Sequence, residues 1–337
     1  MQQTAPVTPD LIFYTLTGFH RSAALKTAIE LDIFSKIGGG MTSAAAIADS
    51  AGAAERGVRI LCDSLGAMGF LTKDGANYGL CDASAQFLDK NSRSYLGGAA
   101  EFLMGDAQKR GFDDLTAAVV KGGSSVTGDA SMDPDSDMWV KFARGMMPMM
   151  YPTAEMTANH LGYQTDQPIK VLDIAAGHGI FGIMVALRYT RAEIYAADWA
   201  NVLTVASENA AKFGVADRFH TIPGNAFESE LGKDYDVVLL PNFLHHFDKH
   251  TCTTFLRNLN GCLAVGGKVV TVEFIPNEDR VSPPMSAMFS LVMLAATPAG
   301  DAYTFADLKE MCEAAGFSNN ELISLEPSPS HLVISTN

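Results

Sequence analysis

The 337-residue sequence is poor in cysteine and in basic residues, and both deficits exclude classes of protein. Its five cysteines are scattered without a Cys-x-x-Cys pair, which argues against a zinc site or a disulfide framework and favours a reducing compartment. Lys and Arg number 24 against 38 Asp and Glu, and an acidic chain repels the phosphates of nucleic acid. We therefore expect a cytoplasmic protein that binds no nucleic acid.

Two further absences concern export and membranes. No Lys or Arg precedes Arg21, and a signal peptide begins with a basic region. The longest apolar stretch, over 285–296, has about a dozen residues, whereas a helix that spans a bilayer needs about 20. The sequence therefore predicts neither a signal peptide nor a membrane partner.

The first hundred residues predict a mainly helical domain that ends in a hairpin. Residues 11–37 and 55–68 have the apolar periodicity of helices, and Thr42 or Ser43 can cap a short helix between them. The segment 70–80 indicates a hairpin that turns at Asp74-Gly75. This order is typical of a winged helix. Because residues 1–90 carry seven Lys and Arg against nine Asp and Glu, a protein–protein role is favoured over DNA binding.

The remaining sequence predicts a helical connector and then an α/β domain. Residues 101–165 are predicted to be helical, with a Gly/Ser/Asp-rich loop over 122–134. Four methionines lie around Pro148, and for these methionines packing in the core is favoured over lining a substrate pocket. Strands and helices then alternate, which predicts a mostly parallel sheet covered on both faces. The last two strands lack a helix between them, so one must be antiparallel. The predicted domains are 1–100, 101–165 and 166–337, with strands over 170–175, 193–198, 219–224, 236–240, 267–274, 321–326 and 331–336.

A glycine turn over 175–179 follows the first strand of that sheet. Glycines let the backbone approach a ligand closely, and Gly177-x-Gly179-x-x-Gly182 fits a dinucleotide fingerprint, so NAD is one candidate. Asp173 lies inside the strand, where it would repel a pyrophosphate but can meet a cationic amino group. It therefore favours S-adenosylmethionine (SAM). Asp198 ends the second strand and can accept both ribose hydroxyls of either cofactor.

Two histidines and a glutamate follow neighbouring strands. His245 and His246 come after the fourth strand, and Glu273 closes the fifth, so their side chains share one rim of the sheet. A histidine beside a carboxylate suits a general base with an orienting acid. The spacing to His250 is not a usual zinc pattern, so no metal is expected. Asn225, after the third strand, is placed either to meet adenine or to form a turn.

These motifs resemble the SAM-dependent O-methyltransferases of the plant phenylpropanoid and flavonoid type and their bacterial relatives, including the hydroxyneurosporene group, over nearly the whole chain. Phe142-Ala143-Arg144-Gly145-Met146 is similar to the Phe-x-x-x-Met segment near the methyl donor and acceptor. Asn242-Phe243-Leu244-His245-His246-Phe247 is similar to Asn-Val-Leu-His-Asp-Trp, whose His is the catalytic base. Glu273 matches the first catalytic Glu. Pro223-Gly224-Asn225-Ala226-Phe227 stands where the family has Gly-Asp-Met-Phe.

The resemblance implies roles for particular residues. The N-terminal domain would join two subunits of a homodimer without binding DNA. His245 and Glu273 would be catalytic, and no metal would be needed. SAM would be held by Asp173, Ala175, Gly177, Gly179, Asp198, Trp199, Asn225, Ala226, Phe227 and Asn242. The acceptor would lie against Phe142, Met146, His246, Phe289, Met293 and Leu294.

Three departures from the family pattern bear on the reaction. Ala302 replaces the second Glu that flanks the base, Asn225 replaces Asp, and His246-Phe247 replaces Asp-Trp. The expected reaction is methyl transfer from SAM to a hydroxyl of a small aromatic or polyketide-like acceptor, with His245 taking the proton. The alternatives are C- or N-methyl transfer at the same site, NAD-dependent oxidation, and a SAM-sensing winged-helix regulator without enzymatic activity.

Overall fold

The structure of the chain is a computed structural model that describes residues 7–126 and 136–337. The chain divides into two units, Met1–Ala100 and Glu101–Asn337. The loop predicted over 122–134 lies partly outside the described residues.

The N-terminal unit is helical with one hairpin. The predicted helical segment over 11–37 consists of three helices, and Asp32 has a φ of +58° where the last two part. Ser43 rather than Thr42 caps the fourth helix, since its Oγ accepts a hydrogen bond from the Ala46 N–H at 3.2 Å. The hairpin turns at Gly75-Ala76, one residue later than predicted. The elements are α1 (Asp10–Leu16), α2 (Gly18–Glu30), α3 (Ile33–Gly38), α4 (Ala44–Ala51), α5 (Glu55–Ala67), β1 (Leu71–Asp74), β2 (Asn77–Leu80) and α6 (Asp82–Phe87).

Within 101–126 and 136–168, together with the two residues before them, the structure describes four helices ahead of the sheet of the second unit. They are α7 (Ala99–Leu103), α8 (Asp106–Asp113), α9 (Leu115–Lys121) and α10 (Met138–Asn159). The long helix α10 continues through Pro148 and Pro152. It buries Met146 and Met150 and leaves Met149 exposed, which agrees with core packing for part of the methionine cluster.

Over the part of the chain that the structure describes, the sheet has seven strands in the order β5-β4-β3-β6-β7-β9-β8. Strands β3 to β7 pair in parallel, and β9 is antiparallel to both of its neighbours. The predicted mostly parallel seven-stranded sheet with an antiparallel last strand is thereby confirmed. The strands are β3 (Ile169–Ile174), β4 (Ala192–Asp198), β5 (Phe219–Pro223), β6 (Tyr235–Pro241), β7 (Leu263–Glu273), β8 (Asn319–Ser324) and β9 (His331–Thr336).

Helices cover both faces of this sheet, as a central parallel sheet requires. They are α11 (Ile180–Arg188), α12 (Ala200–Lys212), α13 (Lys249–Asn260), α14 (Pro284–Ala296) and α15 (Phe305–Ala314). Strand β7 begins four residues before the predicted start, because Leu263 pairs with Tyr235 ahead of an irregularity in the register. Among the described residues, no helix is both long and apolar enough to cross a membrane.

The strand order positions the site. Strand β3 lies between β4 and β6, so the chain runs outward from β3 to β4 on one side and later continues from β5 to β6 on the other. Ligands of such sheets bind outside the carboxyl ends of the strands at this point. The glycine loop and His245 follow β3 and β6, and Asp198 and Glu273 end β4 and β7, so all four lie at the carboxyl ends of the strands and share one edge.

Candidate active site

The glycine loop over 175–179 has a backbone that glycine favours. Ala175, Gly177 and Gly179 have φ values of +50°, +57° and +74°, a left-handed region that side chains disfavour. A Cβ at Gly179 would lie 3.0 Å from Ala206 Cβ, so the loop packs tightly against α12. The loop is thus held as a close-packed turn directly before α11.

Asp173 lies buried beneath this loop. Its Oδ2 accepts a hydrogen bond from the Gly182 N–H at 3.0 Å, which ties β3 to the first turn of α11. Its Oδ1 is buried and has no hydrogen-bond partner among the residues described. Burial raises the pKa of this carboxyl to about 7. A buried oxygen without a donor is costly, so this atom fits the cationic amino group expected of SAM.

Asp198 joins the end of β4 to the same loop. Its Oδ2 accepts from the Gly177 N–H at 2.8 Å, and its Oδ1 accepts from the Trp199 N–H at 2.7 Å. Burial raises its pKa to about 6. Each carboxylate oxygen has capacity for a second donor, as contact with two ribose hydroxyls requires.

His245 and Glu273 form a hydrogen-bonded pair. His245 lies in a 3₁₀ turn, Leu244–His246, after β6, and Glu273 is the last residue of the neighbouring β7. His245 Nδ1 lies 2.5 Å from Glu273 Oε2, and both side chains are buried. Glu273 Oε1 accepts from the backbone N–H groups of Phe243 and Leu244 at 3.0 and 2.9 Å. Because the carboxylate accepts, Nδ1 carries the proton and Nε2 keeps its lone pair, which is the arrangement of a general base.

The turn that carries His245 is also held from outside the sheet. The Tyr303 hydroxyl donates to the Phe247 carbonyl at 2.5 Å, and Cys252 Sγ donates to the Leu244 carbonyl at 3.2 Å. Ala302 is buried next to Tyr303, where the family pattern has a second Glu. Within the described part of the chain, Glu273 is the one carboxylate bonded to His245.

Aromatic rings form a continuous wall from the glycine loop to His245. We call the rings of His178, Phe142, Trp139, His246, His245 and Phe289 the aromatic wall. Successive centroids lie 5.9, 5.7, 5.5, 4.4 and 4.8 Å apart. The sequence interpretation missed Trp139 and His178. The available signals were the position of Trp139 three residues before Phe142 on one helix, and the place of His178 inside the loop itself.

The other predicted acceptor residues lie on the helices that carry this wall. Met146 is buried on α10, one turn after Phe142. Met293 is buried and Leu294 half-buried on α14, four and five residues after Phe289. The structure thus places Met146 and Met293 on the same helix faces as Phe142 and Phe289.

Four predicted cofactor residues take part in local packing. Asn225 Oδ1 accepts from the Phe227 N–H at 3.0 Å, so this amide forms a turn, with Ala226 inside it. Phe227 packs against Phe247 and Phe255, with centroids 4.9 and 4.7 Å away. Trp199 packs with a cluster on α10 and α12. Contact of these residues with a cofactor stays a prediction.

Asn242, directly after β6, differs from these four residues because its side-chain oxygen is not used in local packing. Its φ is +53°, its Nδ2 donates to Met150 Sδ at 3.8 Å, and its Oδ1 is buried without a partner in the described ranges. An unpaired buried amide oxygen is suited to a ligand donor. No cluster of three or more potential metal ligands occurs in the part of the chain that the structure describes.

Comparison with known proteins decides the family. A family model described as the O-methyltransferase domain matches residues 124–318, and one described as the O-methyltransferase dimerisation domain matches residues 13–90. The chain belongs to the O-methyltransferase family. Its fold, with an N-terminal helical dimerisation domain, is the one predicted.

Relatives and solved structures agree over nearly the whole chain. The 3-hydroxy-5-methyl-1-naphthoate 3-O-methyltransferase of Streptomyces sahachiroi is 26% identical over 92% of this chain and 90% of its own. The crystal structure of a candidate O-methyltransferase from Nostoc punctiforme is 49% identical, covers 99% of this chain and 100% of its own, and superimposes with a TM-score of 0.94. Human N-acetylserotonin methyltransferase in complex with SAM, at 19% identity, shares the fold, with a TM-score of 0.85 over 100% of this chain and 99% of its own.

The family membership decides between the alternatives. The predicted SAM-dependent O-methyltransferase acting on a small molecule is confirmed, and SAM rather than NAD is the cofactor. Nothing in the comparisons supports a regulator without enzymatic activity.

Proposed function

We propose that this site methylates a hydroxyl of an aromatic or polyketide-like acceptor, with His245 as the general base. The observation that carries the proposal is the buried pair of His245 Nδ1 and Glu273 Oε2, 2.5 Å apart, at the edge that carries the glycine loop. The acceptor class is supported by relatives named for a naphthoate and for tetracenomycin polyketide synthesis, both from Streptomyces.

The residues divide the chemistry between them. When bound, SAM supplies an electrophilic methyl group on a sulfonium. His245 Nε2 takes the hydroxyl proton as the oxygen attacks, and Glu273 stabilises the imidazolium that results. The two backbone N–H groups on Glu273 keep its carboxylate in place during this step. Alignment of the oxygen with the methyl group supplies much of the remaining rate.

We assign the binding roles from position. Asp173, the glycine loop, Asp198 and Asn242 hold the cofactor, and the aromatic wall with Met146, Met293 and Leu294 encloses the acceptor. Trp199, Asn225, Ala226 and Phe227 complete the cofactor side by shaping the loops after β4 and β5. The apolar side chains around the acceptor exclude water, which strengthens the electrostatic interactions within the site.

We also propose a cytoplasmic homodimer. Helix α1 exposes Leu11, Ile12, Phe13 and Leu16, and exposed apolar side chains that lie together are typical of protein interfaces. The five cysteines are free, which suits a reducing compartment. A finer assignment to the plant phenylpropanoid and bacterial hydroxyneurosporene type rests on the sequence motifs alone.

A methyl-transfer assay tests the function. The protein, with SAM carrying a ¹³C-labelled methyl group and a panel of naphthols and hydroxynaphthoates, is expected to yield S-adenosylhomocysteine (SAH) and an aryl methyl ether. The chemical shift of the labelled methyl in the product distinguishes O- from N- and C-methylation. A labelled methyl on nitrogen or carbon with every active acceptor would contradict the proposal, as would the absence of SAH formation across the panel.

Cofactor binding is expected to release a proton. The pKa of Asp173 is about 7 in the folded, cofactor-free protein and 3.8 in the unfolded chain. The stability that this carboxyl contributes is therefore fully present below about pH 3.8, and it is lost as the pH rises through about 7. An ammonium beside Oδ1 favours the charged carboxylate, so the affinity for SAH should rise between about pH 5 and pH 7.

Calorimetry in two buffers of different ionisation enthalpy measures this release. At about pH 6 the observed heat should differ between the buffers, and Asp173→Asn should remove most of the difference. Asp198→Asn is the matched comparison, since its carboxyl has the lower pKa of about 6 and should account for less of the release. Identical heats in both buffers would contradict a role for Asp173 at the amino group.

A further inference from the structure

We propose that His246 is a second hydrogen-bonding point for the acceptor and selects molecules with two polar substituents on adjacent ring atoms. One substituent is the hydroxyl that His245 deprotonates, and its neighbour is a hydroxyl, amine or carbonyl that bonds to His246. This inference rests on the proposed function, because it assumes that the acceptor hydroxyl meets His245.

The two imidazoles lie side by side. Their centroids are 4.4 Å apart, with the ring planes inclined by 47°. Both belong to the 3₁₀ turn after β6, and both rings are part of the aromatic wall. Because adjacent substituents of a small ring point to the same side and opposite ones point away from each other, two imidazoles this close, each reaching about 2.8 Å, can both bond to an adjacent pair but not to an opposite pair.

The structure of the described residues does not use the buried ring nitrogen of His246. Its backbone N–H donates to the Phe243 carbonyl at 3.2 Å, so His246 itself supports the turn through its backbone. Its ring Nδ1 is buried and has no hydrogen-bond partner in the described ranges of the chain. The ring is held by its perpendicular contact with Trp139, at 5.5 Å. A phenylalanine would make the same contact, so packing alone does not require the nitrogens.

Charge explains why a second histidine can stand beside the base. Burial and the neighbouring His245 hold the pKa of His246 well below its ordinary value, so this ring is neutral. A neutral imidazole does not add positive charge next to a sulfonium. It has one N–H donor and one acceptor nitrogen, so it matches either a donor or an acceptor on the bound molecule.

Positional isomers of dihydroxybenzene test the selection. Catechol has adjacent hydroxyls and hydroquinone has opposite ones, and the two are otherwise identical in composition. Dissociation constants for each with the SAH complex are measured by ligand-observed NMR, which needs no turnover. The wild-type complex should bind catechol about five- to tenfold more tightly, the worth of one additional hydrogen bond.

Three variants separate the hydrogen bond from the ring. His246→Phe keeps the aromatic contact and should reduce the preference for catechol to less than about twofold. His246→Gln retains a donor and an acceptor and should restore part of it. His250→Phe makes the same substitution at an exposed histidine in the same segment and should preserve the wild-type preference.

The outcomes distinguish this inference from the proposed function. Loss of the preference in His246→Phe alone supports the inference. If wild type has no preference, or binds neither isomer, or if His246→Phe keeps the preference, the inference is wrong. SAH binding and methyl transfer to other hydroxyls would then still stand. If instead the wild-type protein transfers no methyl to any hydroxyl, the proposed function itself fails.

Discussion

Replacing His245 with Asn is expected to lower the kcat of methyl transfer by about 10²- to 10⁴-fold, the usual contribution of a general base. The side-chain amide nitrogen of Asn takes the place of Nδ1, so it can still donate to Glu273 Oε2. What the variant lacks is the nitrogen at the Nε2 position. Folding and the dissociation constant of SAH should therefore stay near wild type, while the chemical step slows.

The acidity of the acceptor sharpens this test. A dinitrophenol is already ionised at neutral pH and needs no base, so the defect of His245→Asn should shrink with such an acceptor. If His245 only positioned the acceptor, the loss would be the same for both kinds of phenol. His250→Asn, at an exposed site, serves as the control and should turn over like wild type. Wild-type turnover by His245→Asn with an ordinary phenol would exclude His245 as the base.

Much of the fold could be predicted because the catalytic domain repeats one pattern. Buried strands alternate with helices, and each predicted strand overlaps an observed one. The errors lie at the strand ends. The sequence predicts a start of strand β7 at Gly267, yet Leu263 already pairs with Tyr235. Backbone pairing across the sheet decides where a strand begins, and sequence periodicity does not report on it.

The residues of the candidate site likewise divide into those that local sequence patterns predict and those that depend on contacts across the fold. Residues at the ends of β3, β4, β6 and β7 were predictable, because parallel strands bring their carboxyl ends to one edge. The contact of Trp139 with His246 and the hydrogen bond of the Tyr303 hydroxyl were not, because each joins residues more than fifty positions apart in the chain. Asn225 was ambiguous between an adenine contact and a turn, and the structure uses its side chain for the turn.

The buried Ala302 makes the remaining carboxylate more important. The family pattern places a Glu on each side of the base, and here Glu273 bonds His245 while Phe289 and His246 pack around its ring. The Tyr303 hydroxyl and Cys252 Sγ hold the backbone of the turn, but neither bonds the imidazole. Among the described residues, Glu273 is therefore the one side chain whose hydrogen bond sets the tautomer of His245.

Replacing Glu273 with Gln is accordingly expected to reduce kcat by about 10³- to 10⁴-fold, the loss seen when an orienting carboxylate becomes an amide and the histidine adopts the wrong tautomer. The Gln oxygen must accept from the Phe243 and Leu244 N–H groups, so its amide nitrogen faces His245 Nδ1. Nδ1 then accepts, and the proton moves to Nε2, where it blocks the base. Nitrogen-15 NMR of the imidazole reads this tautomer directly.

Glu273→Ala is the matched comparison that separates tautomer from stability. It removes the acceptor of two buried N–H groups, which costs about 1–3 kcal/mol for each group left unpaired, so its melting temperature should fall clearly. Glu273→Gln keeps that acceptor and should melt near wild type while losing activity. Activity within about threefold of wild type in Glu273→Gln, or an unchanged imidazole tautomer, would show that the carboxylate does not orient the base.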